Sequence, residues 1–235
     1  MSESIHIAGA ERSHIPSNDS PRKLDMSKVT GPILLHLLST EVRFPTLFLL
    51  RCRLTVGRFK KRIDPRFQPE LIELAALPLW VYLNLKRRIG ETKAYEIMRV
   101  AILTGGIAQW NLAYRAAVDK RTFDNLCVAE IDVNRTGPTR WNTMVVVERT
   151  ARRFEIKIKR CMYHELTTRL GIPELTTVVC QIDNAAFNSY LPDTVVFSRG
   201  GPGHRIADGK KECNFVWDLR EETAAGISTD LLQPR

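Results

Sequence analysis

The chain of 235 residues lacks most of the short signatures that betray chemistry in a sequence. No Walker loop, dinucleotide fingerprint or nucleophile elbow occurs, and no Ser, His and Asp follow the order of a hydrolytic triad. Nucleotide-dependent and serine-hydrolase chemistry therefore have no basis here. The five cysteines (Cys52, Cys127, Cys161, Cys180 and Cys213) form no close C-x-x-C pair, which removes the usual framework of a structural zinc site. Their odd number, and an N-terminus without an apolar secretory core, predict free thiols and a reducing, cytoplasmic setting. No run of about 18 apolar residues is free of charge or proline. The most apolar stretch, ILLHLLSTEVRFPTLFLLRCRL over 33–54, is interrupted by Glu41, Arg43, Pro45 and Arg51. Internal repeats are absent as well.

Positive charge, by contrast, is in excess: 35 Lys and Arg stand against 26 Asp and Glu, a formal net charge of +9. The cations cluster in RCRLTVGRFKKR (51–62) and RTARRFEIKIKR (149–160). Neither run sits in a nucleic-acid module or interleaves aromatic stacking platforms, so no nucleic-acid partner is expected. A solvated basic face is the reading adopted, compatible with attraction for an anionic substrate. The apolar residues ahead of the first cluster keep membrane-surface contact over 44–62 as a lesser alternative. Oligomeric state is not legible.

Periodicity predicts an α+β fold: a helical N-terminal half packed on a C-terminal antiparallel sheet with two motif-bearing helices. Residues 1–27, polar and rich in Ser and Pro, read as a disordered arm. Residues 28–235 read as a single domain, with a helical part over 28–140, a β-β-α-α-β-β core over 141–219 and a tail over 220–235. Within the helical part, 33–54 predicts two helices meeting near Pro45, and Pro69 and Gly90 bound a third. A fourth runs through ETKAYEIMRVAILTGGIAQWNLAYRAAV, where Gly105-Gly106 predicts close packing or a kink. A short helix follows in DKRTFDNLCVAEIDVNR. MVVVERT and RFEIKIK read as strands, RCMYHELTTRLG and IPELTTVVCQIDNAAFNSY as helices, and DTVVFSR and ECNFVWDL as the last two strands.

On the second of those helices, Leu175, Val178, Val179, Ile182 and Ala186 form a core stripe. Cys180, Asp183 and Phe187 share the edge beside it, at spacings of three and four. A small buried Cys with a solvated Asp explains that edge by packing alone; a chemical site is the alternative. Cys161 and His164, one turn apart, could share a proton or, with Cys180 and Cys213, bind a metal. Without a close ligand pair, no metal and no cofactor is assigned.

The ordered run RCMYHELTTRLGIPELTTVVCQIDNAAF, then FSR, then GKKECNF, resembles the L-2-amino-thiazoline-4-carboxylic acid hydrolase family. The pattern is carried by Cys161, Tyr163, Gly171, Pro173, Glu174, Leu175, Cys180, Asp183, Phe197, Arg199, Gly209, Cys213 and Phe215, within 141–219. Two departures stand out. Asn214 replaces the family's Asp between Cys and Phe, and GGPGHRIADG replaces a shorter Thr-rich segment. The resemblance implies a small-molecule enzyme that opens a thiazoline ring with water at its amidine-like carbon. The resemblance fixes only these positions; the preferred reading of their roles is a thiolate nucleophile at Cys180, with Asp183 orienting it or exchanging a proton, and a cationic partner in His164 or Arg199. Arg199 could also hold a substrate carboxylate. Cys161, Tyr163, Phe187, Cys213 and Asn214 complete the expected substrate-binding set, and Cys161, Cys180, Asp183, Arg199 and Cys213 should border one cavity. Because Asn214 removes an acid, a cyclase or isomerase of secondary metabolism on the same fold is the second reading. A non-catalytic binding or scaffold protein is the third.

Overall fold

A computed structural model describes residues 26–200 and 203–220. The arm expected over 1–27 lies outside the described residues except for Met26 and Ser27, which already open the first helix, and the expected tail lies outside them except for Arg220. Among the described residues the order is α1 (Met26–Ser39), α2 (Pro45–Lys60), α3 (Pro69–Ile89), α4 (Glu91–Ala113), α5 (Arg115–Asp119), α6 (Phe123–Arg135), β1 (Thr143–Arg149), β2 (Arg153–Arg160), α7 (Met162–Arg169), α8 (Glu174–Tyr190), β3 (Val195–Ser198) and β4 (Cys213–Leu219). The fold is α+β, as periodicity predicts.

Proline and glycine set the boundaries. Pro45 and Pro69 open α2 and α3, where a missing N–H costs nothing. Gly90, with φ 85°, stops α3, and α4 begins at the next residue. Gly171, with φ 70°, reverses the chain between α7 and α8, its N–H donating to the Thr168 carbonyl at 3.0 Å. The long fourth helix expected from sequence breaks, though not at its glycines. Gly105 and Gly106 stay helical, and the break falls at Tyr114 (φ −100°, ψ 22°), whose ring stacks on Trp110 at 4.3 Å. Beyond that local stack, Tyr114 contacts Glu130 of α6 and Phe187 of α8.

The sheet has the order β1-β2-β4-β3 with every neighbouring pair antiparallel. Phe154 pairs with Trp217, Ile156 with Phe215 and Ile158 with Cys213, so one face of β2 and β4 is apolar and buried. Trp110, Tyr114, Leu126, Ile182, Phe187 and Tyr190 cover that face. A second apolar cluster joins α1, α2, α3, α7 and the start of α4, and Ile102 and Leu103 of α4 pack against both. The helical half and the sheet half thus meet along α4 and α8.

Gly106 permits that meeting, since a Cβ built there would overlap the side chain of Ile182 on α8. Gly106→Ala gains about 1 kcal/mol of helix propensity but suffers about 1–3 kcal/mol of overpacking. The substitution is expected to lower stability with Ile182 in place and to raise it once Ile182→Ala has cleared the space. Denaturant unfolding of the two single variants and the double variant reads this reversal of sign, and its absence would mean that the helices do not approach at Gly106.

Candidate active site

Helix α8 buries Leu175, Val178, Ile182 and Ala186 and leaves Cys180 and Asp183 half-buried beside them. The strand order then brings distant residues to that edge. β3 ends at Ser198, and Arg199 follows it back over α8. Arg199 Nη2 donates to Asp183 Oδ2 at 3.0 Å and to the Cys180 carbonyl at 3.3 Å, while Nε donates to Asn184 Oδ1 at 3.1 Å. Its guanidinium stacks over the Phe215 ring at 4.2 Å. Arg199 Nη1, also buried, has no partner among the described residues.

The thiols complete the cluster. Cys161 caps α7, its Sγ accepting from the His164 N–H at 3.4 Å, and Cys213 opens β4, its Sγ accepting from the Ile206 N–H at 3.1 Å. Burial and then the Asp183 charge push the Cys180 thiol up to about 12, against the pull of Arg199. Burial likewise pushes Cys161 up to about 11 and raises Cys213. All three are neutral thiols at neutral pH. Asp183 is itself raised by burial and held down by Arg199, and 29 % of its side chain stays accessible. That accessible carboxylate beside a buried guanidinium is where water or a small ligand can be handled.

A second buried acid stands behind the first. Glu130 on α6 is 4 % exposed, accepts the Tyr114 hydroxyl at Oε2, and accepts Asn134 Nδ2 at Oε1 at 2.9 Å. Burial pushes it up to about 7, the negative field of Asp183 adds to this, and the hydrogen bonds from Tyr114 and Asn134 and the field of Arg199 oppose it. Tyr114 is raised by burial, by Glu130 and by Asp183. The two carboxyl groups differ in their relation to the buried guanidinium of Arg199, which bonds to Asp183 and reaches Glu130 only through its field. Asp183, in contact with it, is the ionised member; Glu130 keeps its proton close to neutral pH. Glu130 was missed in the sequence reading, although a signal exists. It falls four residues after Leu126 and three before Val133, on the apolar face of α6, where a solvated glutamate has no place.

The family described as L-2-amino-thiazoline-4-carboxylic acid hydrolase matches residues 70–217, more than half of the chain. The chain belongs to that family. The match reaches back through α3 and α4, well beyond the 141–219 segment that carries the recognisable motifs. No curated protein matches the chain. A solved structure, an unliganded Fe(II) H-NOX protein mutant from K. algicida, has 12% identity and covers 83% of this chain and 96% of its own, with a TM-score of 0.32. At that score it carries no argument.

Within the family pattern, Cys180 and Cys213 each feel the charges of Asp183 and Arg199, Cys161 feels Asp183 and Cys213, and Tyr163 is raised by burial and by its Cys161 and Cys180 neighbours. Arg199 and its ring stack occupy the centre of the cluster. His164 turns away, its Nδ1 3.3 Å from Thr176 Oγ1, and the cation acting on Cys180 is Arg199. Phe187 is not an open edge residue. It is 2 % exposed and packs edge-on against Trp110 and Trp217, as apolar area demands. Asn214 alternates with Cys213 and Phe215 along β4 and so faces the other side of the sheet, with its amide beside Gly200. Among the described residues, no three His, Cys, Asp or Glu side chains converge as metal ligands.

Unfolded glutamate is deprotonated by about pH 5, whereas folded Glu130 holds its proton to about 7. The folded state then binds the extra proton, and stability falls as pH rises through that window. The melting temperature is expected to drop between about pH 5 and about pH 8, and Glu130→Gln is expected to flatten the drop. A Gln variant with the wild-type slope would exclude Glu130 as the titrating group.

Proposed function

We propose that this chain is a small-molecule hydrolase that adds water across a cyclic amidine or amide C–N bond, with Arg199 holding a substrate carboxylate and Asp183 moving the proton. The carrying observation is the buried Nη1 of Arg199, which has no partner among the described residues. A buried donor left without an acceptor costs about 1–3 kcal/mol, and more when charged. A carboxylate matches a guanidinium in both sign and geometry. The family's name describes a thiazoline carboxylic acid, a ring bearing that very group.

In the proposed reaction, water attacks the carbon of the ring C=N while Asp183 takes its proton. Asp183 returns that proton to the ring nitrogen, which has taken the π pair. The tetrahedral adduct then collapses to a carbonyl as Asp183 takes the hydroxyl proton. The nitrogen leaves with the C–N electron pair and receives this second proton from Asp183, departing as an amine. The product is substrate plus one water. Attack by water is preferred here to the thiolate route, because a Cys180 thiol pushed up to about 12 is scarcely ionised at neutral pH. Cys180, Cys161, Cys213 and Tyr163 then line the site. Glu130, behind Tyr114, holds a proton in reserve. With Asn214 on the far face of β4, its replacement of Asp takes no acid from the cluster, so the departure that favoured a cyclase or isomerase weighs little.

Cyclic amidines, thiazolines and lactams bearing a carboxylate are the substrates to incubate, with products read by mass spectrometry. A gain of one water supports hydrolysis, an isomer of unchanged mass supports a cyclase or isomerase, and no conversion leaves a binding protein. Once a substrate turns over, Asp183→Asn is expected to lower kcat by about 10²–10⁴-fold. Cys180→Ser should change kcat only severalfold, and the reverse ranking would return Cys180 to the role of nucleophile. On the unaltered protein, the carboxamide analogue should lose about ten- to a hundredfold in kcat/KM, as expected for a lost hydrogen bond to a charged group.

A further inference from the structure

Helix α2 carries two apolar faces, and the core uses one of them. Phe48, Cys52 and Phe59, at spacings of four and seven, turn inward and are buried. Leu47, Leu50 and Leu54, at spacings of three and four, lie on the opposite side of the helix and are 62%, 50% and 75% exposed. An isolated exposed leucine needs no explanation, but a contiguous stripe on one helix face marks a contact surface. Its surroundings identify the partner. Exposed Arg51 and Arg58 flank the stripe on one side and Arg53 on the other, with Arg43 and Lys61 at its ends. No Asp or Glu occurs from Val42 to Ile63.

We propose that α2 seats the protein on an anionic lipid surface. Leu47, Leu50 and Leu54 enter the boundary between headgroups and acyl chains, and the flanking arginines meet the lipid phosphates and carboxylates. An apolar stripe bordered by cations, on a helix lying flat, is the arrangement such binding needs. The alternatives fit the same surface less well. A second copy would set arginines against arginines, and a nucleic-acid backbone would neutralise the cations but gain nothing from the leucines. No helix of the described residues is long and apolar enough to cross a membrane, so the contact is superficial. This inference is independent of the proposed reaction.

The test is co-sedimentation of the full chain with vesicles of phosphatidylserine and phosphatidylcholine, beside vesicles of phosphatidylcholine alone. Binding is expected to the anionic vesicles only, weakening as salt rises. Arg51→Gln and Arg53→Gln should each lower partitioning roughly fivefold. The combined variant Leu47→Gln, Leu50→Gln, Leu54→Gln should lose binding at an unchanged melting temperature, since those side chains are already in water. Three outcomes would overturn the proposal. One is a full chain that stays in the supernatant with both vesicle types, as it would if residues 1–25 covered the stripe. Another is vesicle binding that survives the leucine changes. The third is a lipid-free dimer that the leucine changes dissolve. Binding to an oligonucleotide unaffected by those changes, without vesicle binding, would assign the cations to nucleic acid instead.

Discussion

Arg199 carries its charge in an interior that leaves it 9 % exposed, and an ion taken out of water must be paired and hydrogen-bonded to be tolerated. Every compensation comes from another element. Asp183, Asn184 and the Cys180 carbonyl are supplied by successive turns of α8, and the ring beneath the guanidinium is Phe215 of β4. The charge can therefore be housed only if α8 lies across the β3–β4 pair in one register. Phe187, packed against Trp217 of β4 and Phe197 of β3, fixes that crossing from the sheet side, and Gly106 allows it from the α4 side. The aromatic cluster is thus packing in the service of a polar centre. Its members touch no candidate substrate, yet the position of Asp183 follows from them.

Much of this was legible in the sequence, because α8 and the strands around it obey their periods. Of the expected helix stripe, Leu175, Val178, Ile182 and Ala186 are buried and Val179 is half-buried, and Cys180 and Asp183 occupy the edge that spacing assigns them. Arg199 entered the candidate set through the family pattern, since a lone arginine after a strand has no period to betray it. The misplacements share a cause. Phe187 lies on the same edge as Cys180, but an aromatic ring of that size is drawn under the neighbouring sheet, and sheet geometry is invisible from one helix. Asn214 entered the set with Cys213 through the family's Cys-Asp-Phe pattern, whereas adjacent residues of a strand face opposite sides. His164 found a threonine from the next helix, Thr176, in place of a thiol.

Glu130 and Tyr114 belong to a different class of omission. They are sixteen residues apart, and a hydrogen bond between them needs the break after α4 and the turn into α6. That break falls at the tyrosine itself, which reaches Glu130 of α6 and Phe187 of α8. Glu130 sits where the apolar face of α6 would call for a hydrophobe, and such an inconsistency between residue and environment is where functional sites tend to be found. The sequence contained the inconsistency, but only the fold shows that this second carboxyl group lies within the field of Asp183 and Arg199.

The contrast between the two acids has a consequence for the proposed reaction. Before substrate arrives, Arg199 favours the ionised form of Asp183, while burial and the Asp183 charge keep Glu130 protonated near neutral pH. A substrate carboxylate at Nη1 would bring a further negative charge to the same guanidinium and weaken the stabilisation that Asp183 receives from it. The proton affinity of Asp183 then rises at the moment of binding, which makes it the better base for water. Glu130 feels the same added charge and holds its proton more firmly, so the two acids are driven further into their separate roles. Binding energy of the carboxylate, a part of the substrate remote from the bond that breaks, is in this way converted into basicity at the reacting centre. A substrate lacking the carboxylate would bind with less affinity and also leave Asp183 a weaker base, so the cost of its loss falls on kcat as well as on KM.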